Sequence, residues 1–427
     1  MRQIIFGNFI FTRNPSDFDI LEETYMMIDD GIIVDTFKEI PPEYENIKVT
    51  YYKDEIIIPG LVDLHVHAPQ YQYRGLGLDK ELLDWLNDYT YKEESKYKDL
   101  TYAEKAYGIF VEDLKRSATT HAVLFATVYK DSTLLLMDKL EKSGLVTYVG
   151  KLNMDRNCPD FICENTMESL NDAEEWIIES TRRGYRNTKP IITPRFVPTC
   201  SDSLLKGLGE IQEKYNLTFQ SHLDENPSEI KWVKELCPTK KNYTDVYHSF
   251  GLLTRRHRSL LAHCVYLDED EIKRIKEEEG YVVHCPESNM NVTSGIAPIR
   301  RYLEEGMNIG LGSDIAGGSD INMFKAISHA IQSSKLRYRH VDSSLKALTE
   351  SEGFYLATKG GGSFFGKVGS FEKGYEFNAI ILNDDRLKNA YPLSLKERIQ
   401  RIIYLGDERE IKFKYIKGNK IDLTIPD

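Results

Sequence analysis

Cysteine is scarce. The chain has six in 427 residues, at 158, 163, 200, 237, 264 and 285, with no CxxC pair. That is too few for a disulfide scaffold or a thiolate metal cluster, and free thiols in a reducing cytosol are expected. Long apolar runs are also missing. No stretch approaches the ~18 residues of a membrane helix, and the opening MRQIIFGNFIFTRN has no signal-peptide layout, so a soluble, cytoplasmic protein without a membrane partner is expected. Basic surplus is absent: 55 Lys and Arg face 67 Asp and Glu, a net charge of −12. Phosphate tracking needs a basic face, so a nucleic-acid partner is not expected. Proline (15) and glycine (28) are few, and repeats and low-complexity tracts are lacking, which excludes fibres and disorder. The chain also carries no HExxH, P-loop, GxGxxG, GxSxG or PCxxC motif. What remains is an acidic globular chain, 41% hydrophobic, able to bury a large core.

Its rhythm changes along the chain. Residues 3–58 read as short strands, with Asp30-Gly31 as a hairpin turn between two apolar runs. Strands return at 377–382 and 411–416. Neither end has enough strands for its own core, so the two ends, 1–58 and 370–427, are expected to pair into one small β-sandwich domain. Between them, residues 59–369 alternate β and α. Apolar runs at 56–64, 121–128, 145–150, 190–196, 217–222, 259–263, 281–284 and 308–312 are separated by helical patterns. Thr101 with Glu104, Asp131, Asn226-Pro227 and Asp268 mark helix starts, while Gly144 and Gly184 mark stops. Eight buried strands alternating with helices predict an α/β fold, a (β/α)8 TIM barrel.

A TIM barrel carries its chemistry at the C-terminal ends of its strands. Run 1 ends in Asp63-Leu64-His65-Val66-His67, run 4 in Pro194-Arg195-Phe196, and run 5 in Ser221-His222-Leu223-Asp224-Glu225. Runs 6, 7 and 8 end in His263-Cys264, His284-Cys285 and Gly312-Ser313-Asp314. Five of the ten histidines thus sit at four strand ends. His65 and His67, two apart on a strand, point to one face. With His222, His263 and Asp314 they form a candidate metal site whose nitrogen and oxygen donors suit Zn²⁺, with Fe²⁺ as the alternative. Glu225, three residues beyond His222, is placed for proton transfer, or simply starts a helix. Asp314 is a ligand, a base, or a cap for the next turn. His284 is a hydrogen-bond donor or a structural residue. Cys264 and Cys285 are expected to turn into the core by the period of two. His121 and His329, and Trp85, Trp176 and Trp232, are expected to pack.

Pro59-Gly60-Leu61-Val62-Asp63-Leu64-His65-Val66-His67 resembles the strand-1 signature of the amidohydrolase superfamily, metal-dependent hydrolases on a (β/α)8 barrel. Arg195 stands where binuclear members keep a bridging lysine, which implies one metal per chain. The H-x-x-E of His222 and Glu225 resembles the mononuclear deaminase branch. Within it, His67-Ala68-Pro69-Gln70, Arg195-Phe196, Ser221–Asn226, His284–Asn289 and Gly312–Gly318 are similar to motifs of the guanine-deaminating members. The resemblance implies zinc-dependent hydrolysis of guanine, a small-molecule substrate, to xanthine and ammonia. It implies hydroxide attack at C2, with Glu225 and Asp314 moving protons. Substrate would lie against His67, Ala68, Pro69, Gln70, Arg195, Phe196, His222, Glu225 and Asp314, with Gln70 offering donor and acceptor. It further implies a homodimer. An aminohydrolase or chlorohydrolase of another purine, pyrimidine or triazine is the alternative. A non-catalytic barrel would need missing ligands, and none is missing.

Overall fold

The computed structural model describes residues 2–424. The chain enters through β1 (Arg2–Phe11), β2 (Asp19–Asp29), β3 (Ile32–Phe37) and β4 (Val49–Pro59). The barrel strands are β5 (Leu61–His67), β6 (Thr119–Phe125), β7 (Val146–Gly150), β8 (Leu152–Asn153), β9 (Thr188–Pro190), β10 (Thr193–Pro194), β11 (Phe219–Leu223), β12 (Ser259–His263), β13 (Tyr281–His284) and β14 (Asn308–Leu311). The chain closes with β15 (Ala379–Leu382), β16 (Ile411–Ile416) and β17 (Asn419–Ile421).

The two chain ends meet in one seven-stranded sheet of order β17-β16-β15-β4-β1-β2-β3. The expected sandwich is therefore a single hydrogen-bonded sheet. Parallel pairing of β1 with β4 and antiparallel pairing of β4 with β15 join the N-terminal and C-terminal hairpins across β4. Alternation gives this sheet two buried faces. Ile5, Phe9, Ile57 and Ile381 pack into its own core, while Ile10, Ile56, Ile58 and Ile380 pack on the barrel side. The Asp30-Gly31 turn takes positive φ at both residues, as its hairpin requires. The first apolar run, 56–64, proves to be two strands broken at Gly60, one for each sheet.

The barrel strands pair in parallel as β5-β6-β7-β9 and β11-β12-β13-β14. The halves join where Ile192 N donates to Thr218 O and Gln220 N to Ile192 O. They close where Asp314 N donates to His65 O at 2.8 Å and His67 N to Ile315 O at 3.2 Å. Gly312 permits that closure, because a Cβ there would meet His65 Cβ at 2.7 Å. Asn226 and Asp268 cap their helices in capping boxes with Glu229 and Glu271. Two expected helix starts move. Asp99, not Thr101, caps the helix Leu100–Arg116, accepting from Thr101 N, and Glu104 pairs with Lys139 instead. Asp131 lies inside a helix that starts at Lys130.

The expectation of six free thiols is corrected. Cys158 and Cys163 form a disulfide, while Cys200, Cys237, Cys264 and Cys285 are free and buried. The tight turn that brings Ile162 N and Cys163 N onto Pro159 O sets the two Cα atoms 5.4 Å apart, within bonding reach. No helix among the described residues is long and apolar enough to cross a membrane.

Candidate metal centre and substrate pocket

The barrel mouth gathers side chains from four strands. His65 and His67 leave the end of β5, His222 belongs to β11, His263 ends β12, and Asp314 follows β14. His67 Nε2 lies 3.2 Å from both His65 Nε2 and His222 Nε2. Asp314 Oδ1 lies 3.2 Å from His65 Nε2 and 3.4 Å from His67 Nε2. His263 Nε2 lies 3.7 Å from Asp314 Oδ2 and 3.4 Å from Glu225 Oε2. All five residues, with Glu225, are at most 9% exposed.

The backbone works to make this convergence. His263 and Asp314 adopt φ of 75° and 48°, and Asp224, beside Glu225, adopts 48°. Left-handed backbone costs a non-glycine residue roughly 1–2 kcal/mol, and such positions gather at functional sites. Each turns the chain sharply where a strand ends, and after Asp224 the turn brings Glu225 over the mouth.

The donor atoms fit a cation. His222 Nδ1 donates to the Arg195 carbonyl at 2.5 Å, which leaves Nε2 bare in the neutral ring. His263 Nδ1 is held by Asn289 Oδ1 at 2.9 Å, with the same result. Burial, helped by neighbouring imidazoles, pushes His67 and His222 well below the ordinary histidine range, so both rings are neutral. Bare nitrogens facing one another and a carboxylate need a shared positive charge between them. Burial tends to raise Asp314, but His65, His263 and His67 together outweigh it and lower this carboxylate, which stays ionised. Ligand atoms of His65, His67 and His222, and of His65, His263, Cys285 and Asp314, each lie within 4.8 Å of one another. Cys285 thus stands nearer the centre than alternation predicts, because the strand ends at His284 and the chain turns into a short helix. Burial keeps its thiol protonated. Cys264 points away, its Sγ on Leu261 O.

Glu225 is pushed up to about 8, first by burial and then by the Asp314 carboxylate. Ser294 Oγ donates to its Oε1 at 3.0 Å, leaving Oε2 towards the centre. A carboxyl poised near neutrality beside the histidine cluster can both take and give a proton. Asp63, two residues before His65, accepts from Ser313 N at 3.0 Å and from Ser313 Oγ, and so ties the first strand to the last.

A cavity opens beside the cluster, lined by His67, Gln70, Leu82, Trp85, Leu86, Arg195, Phe196, His222, Glu225, His263, Ser288 and Asp314. Ala68 and Pro69 are buried in the turn that carries Gln70. Trp85, expected only to pack, lines this cavity together with Leu82 and Leu86. The expected freedom of Gln70 is also corrected. Its Oε1 accepts from Ala316 N and Tyr73 OH, both at 3.1 Å, so the amide faces the cavity only as a donor. Glu94, unnoticed in the sequence, binds Arg195 Nη1 at 2.6 Å, Arg195 Nη2 at 3.2 Å and Gln70 Nε2 at 2.9 Å. Nothing in its local pattern, on a helix 101 residues before Arg195, marks that role.

Other histidines stay outside. His284 is buried and neutral, pushed down to about 3 by burial and then His263, and its Nδ1 has no partner among the described residues. His121 lies at the opposite end of the barrel on Thr120 Oγ1. His329 sits in a helix, 3.8 Å from Glu287. Trp176 is fully packed, while Trp232 meets the Phe196 ring edge-on at 6.5 Å.

The model of the amidohydrolase family matches residues 56–421. A guanine deaminase of Dictyostelium discoideum is 39% identical over 86% of this chain and 83% of its own length. One of Escherichia coli K12 is 32% identical over 97% of this chain and 96% of its own. The crystal structure of guanine deaminase from C. acetobutylicum with bound guanine superposes with a TM-score of 0.95 at 47% identity, covering 99% of this chain and 100% of that one. With strand-end histidines, a converging aspartate and a family match over nearly its whole length, the chain belongs to the amidohydrolase family.

Proposed function

We propose that this protein deaminates guanine hydrolytically, guanine and water giving xanthine and ammonia. The observation that carries the reading is the paired donor edge of Arg195 and Gln70, held next to the imidazole–carboxylate cluster. Guanine offers adjacent acceptors at O6 and N7, whereas adenine sets an amino donor beside N7. An edge that presents only donors accepts the first pattern and leaves unmet polar groups with the second. The likeness to guanine deaminases over nearly the whole chain supports the same substrate.

In this reading His65, His67, His222 and Asp314 hold one zinc ion per chain, with His263 as a ligand or close neighbour. Iron(II) is the other ion such donors suit. Zinc supplies Lewis acidity and makes hydroxide available near neutral pH. Arg195 and Gln70 orient the ring so that C2 faces the cluster. Phe196 packs on the ring, and Leu82, Trp85 and Leu86 keep bulk water out. Glu225 takes a proton from the water that attacks C2 and gives it from Oε2 to N3; the new C2 hydroxyl then loses its proton, through Glu225 or Asp314, to the departing amine, so that the water's oxygen stays as the C2 carbonyl and ammonia leaves. The family resemblance supports a homodimer, and the sparse cysteine content supports a cytoplasmic setting.

The test is a panel of guanine, adenine, cytosine and an aminotriazine, with ammonia measured. Guanine is expected to turn over with adenine nearly inert. Equal rates on the two purines, or turnover of the triazine alone, would overturn the reading.

A further inference from the structure

Glu94 is fully buried, and none of the residues implied by the strand-end motifs calls for it. It lies in the short helix Tyr91–Ser95, downstream of the segment that supplies Leu82, Trp85 and Leu86 to the cavity. Its carboxylate engages both residues of the donor edge at once. A reversed Gln70 amide would set its N–H groups against the Ala316 N–H, and its oxygen against the Glu94 carboxylate. The network therefore permits one orientation only. Two of the five Arg195 N–H groups are spent on Glu94, leaving others for a ligand. The guanidinium also lies over the Tyr91 ring at 5.1 Å, so its plane is fixed from two directions.

Charge adds a second consequence. A lone guanidinium, 2% exposed, would draw anions strongly, because the screening of water is missing there. Paired with Glu94 the edge is neutral overall. Guanine is neutral at physiological pH. Xanthine carries a second ring carbonyl in place of the amine, has an acidic ring N–H, and forms an anion more readily. A bare cation at this point would hold product in preference to substrate.

We propose that Glu94 is a positioning residue that sets selectivity: it fixes Gln70 and Arg195 as a donor-only edge and cancels the Arg195 charge, so that neutral guanine is favoured over anionic xanthine. This rests on the guanine-deaminase reading.

The experiment compares wild-type holoenzyme with Glu94→Gln and Glu94→Asp. It measures KM and kcat for guanine, inhibition by xanthine at pH 6.5 and 8.5, and metal content. Glu94→Gln removes the charge at nearly constant shape. It should raise KM about tenfold and tighten xanthine inhibition about tenfold relative to that KM, more at pH 8.5, with metal content unchanged. Glu94→Asp keeps the charge on a shorter arm. It should raise KM while leaving the ratio of xanthine inhibition to KM near that of wild type, and it carries the test if the glutamine variant does not fold. A merely structural role would lower stability without moving that ratio. An unchanged ratio in Glu94→Gln, or a wild-type KM in Glu94→Asp, overturns the proposal. A wild-type enzyme inert on guanine would instead overturn the reading on which it rests.

Discussion

The two ends of the barrel both bury ionisable side chains, and they treat them differently. At the closed end, His121 meets the Thr120 hydroxyl at 3.0 Å and the Phe365 ring at 4.8 Å. Burial, and then the Lys417 charge, push it down to about 3. Nearby, Lys414 Nζ donates to the carbonyls of Lys115 and Thr119 at 2.6 and 2.8 Å. These groups are held singly by neutral partners. At the mouth, four imidazoles and two carboxylates face one another, and the outer atoms of His222, His263 and Glu225 are held by Arg195 O, Asn289 and Ser294. Burial alone therefore does not make a site. Convergence of like atoms, with their orientation fixed from behind, does.

The sharpest way to break this comparison is to remove one imidazole from each end. His65→Ala should abolish turnover and release the metal, read by elemental analysis and an ammonia assay. His121→Ala should cost about 2–4 kcal/mol of stability through the void it leaves, yet keep metal and activity. Loss of metal in the second variant, or full activity in the first, would erase the distinction.

Within the mouth, proton transfer and ligation are separable. Glu225→Gln keeps the shape and the Ser294 contact but cannot cycle a proton. Turnover should fall about 10²–10⁴-fold with metal near one per chain. Loss of metal instead would make Glu225 a ligand.

Substrate reading should give a smaller effect. Arg195→Ala leaves Glu94 buried without its cation, and guanine turnover should fall steeply at unchanged metal content. Arg195→Lys should recover only part, because a flexible ammonium replaces a planar fork that grips both Glu94 oxygens. A silent Arg195→Ala would reduce the ion pair to a structural strut.

The convergence of the histidines and Asp314 was legible in the sequence because two simple periods meet there. Alternation puts His65 and His67 on one face, and barrel topology brings distant strand ends to one mouth. The eight-strand count held for the same reason: the two hydrogen-bonded halves hold four parallel strands each, with β8 and β10 forming a separate two-residue pair. The supporting groups were not legible. Glu94 reaches Arg195 across 101 residues and Ser313 reaches Asp63 across 250, and neither lies on a strand period that links them. Trp85 looked like a packing residue because a helical pattern does not tell a core face from a cavity wall. Cys285 escaped because alternation stops where its strand stops. The disulfide escaped because its partners are close through a turn, and composition argued only about how many thiols there are.

The last prediction returns to the closed end, where the effect is smallest and falls on stability alone. Burial, followed by the Lys115 charge, holds Lys414 well below its ordinary value of 10.5. The unfolded chain therefore binds more protons at this position than the folded chain in the window below 10.5. Stability must rise with pH across that window and fall as pH drops back through the folded value. Lys414→Met removes this dependence. The unfolding free energy of wild type relative to Lys414→Met should climb as pH rises from about 8 towards 10.5, measured by denaturant titration at several pH values. Guanine turnover should follow the same pH profile in both proteins, since Lys414 lies at the opposite end of the barrel from the histidine cluster. A flat difference in stability would mean that the two carbonyls keep the ammonium as comfortable as water does. A shifted activity profile would mean that the closed end speaks to the mouth after all.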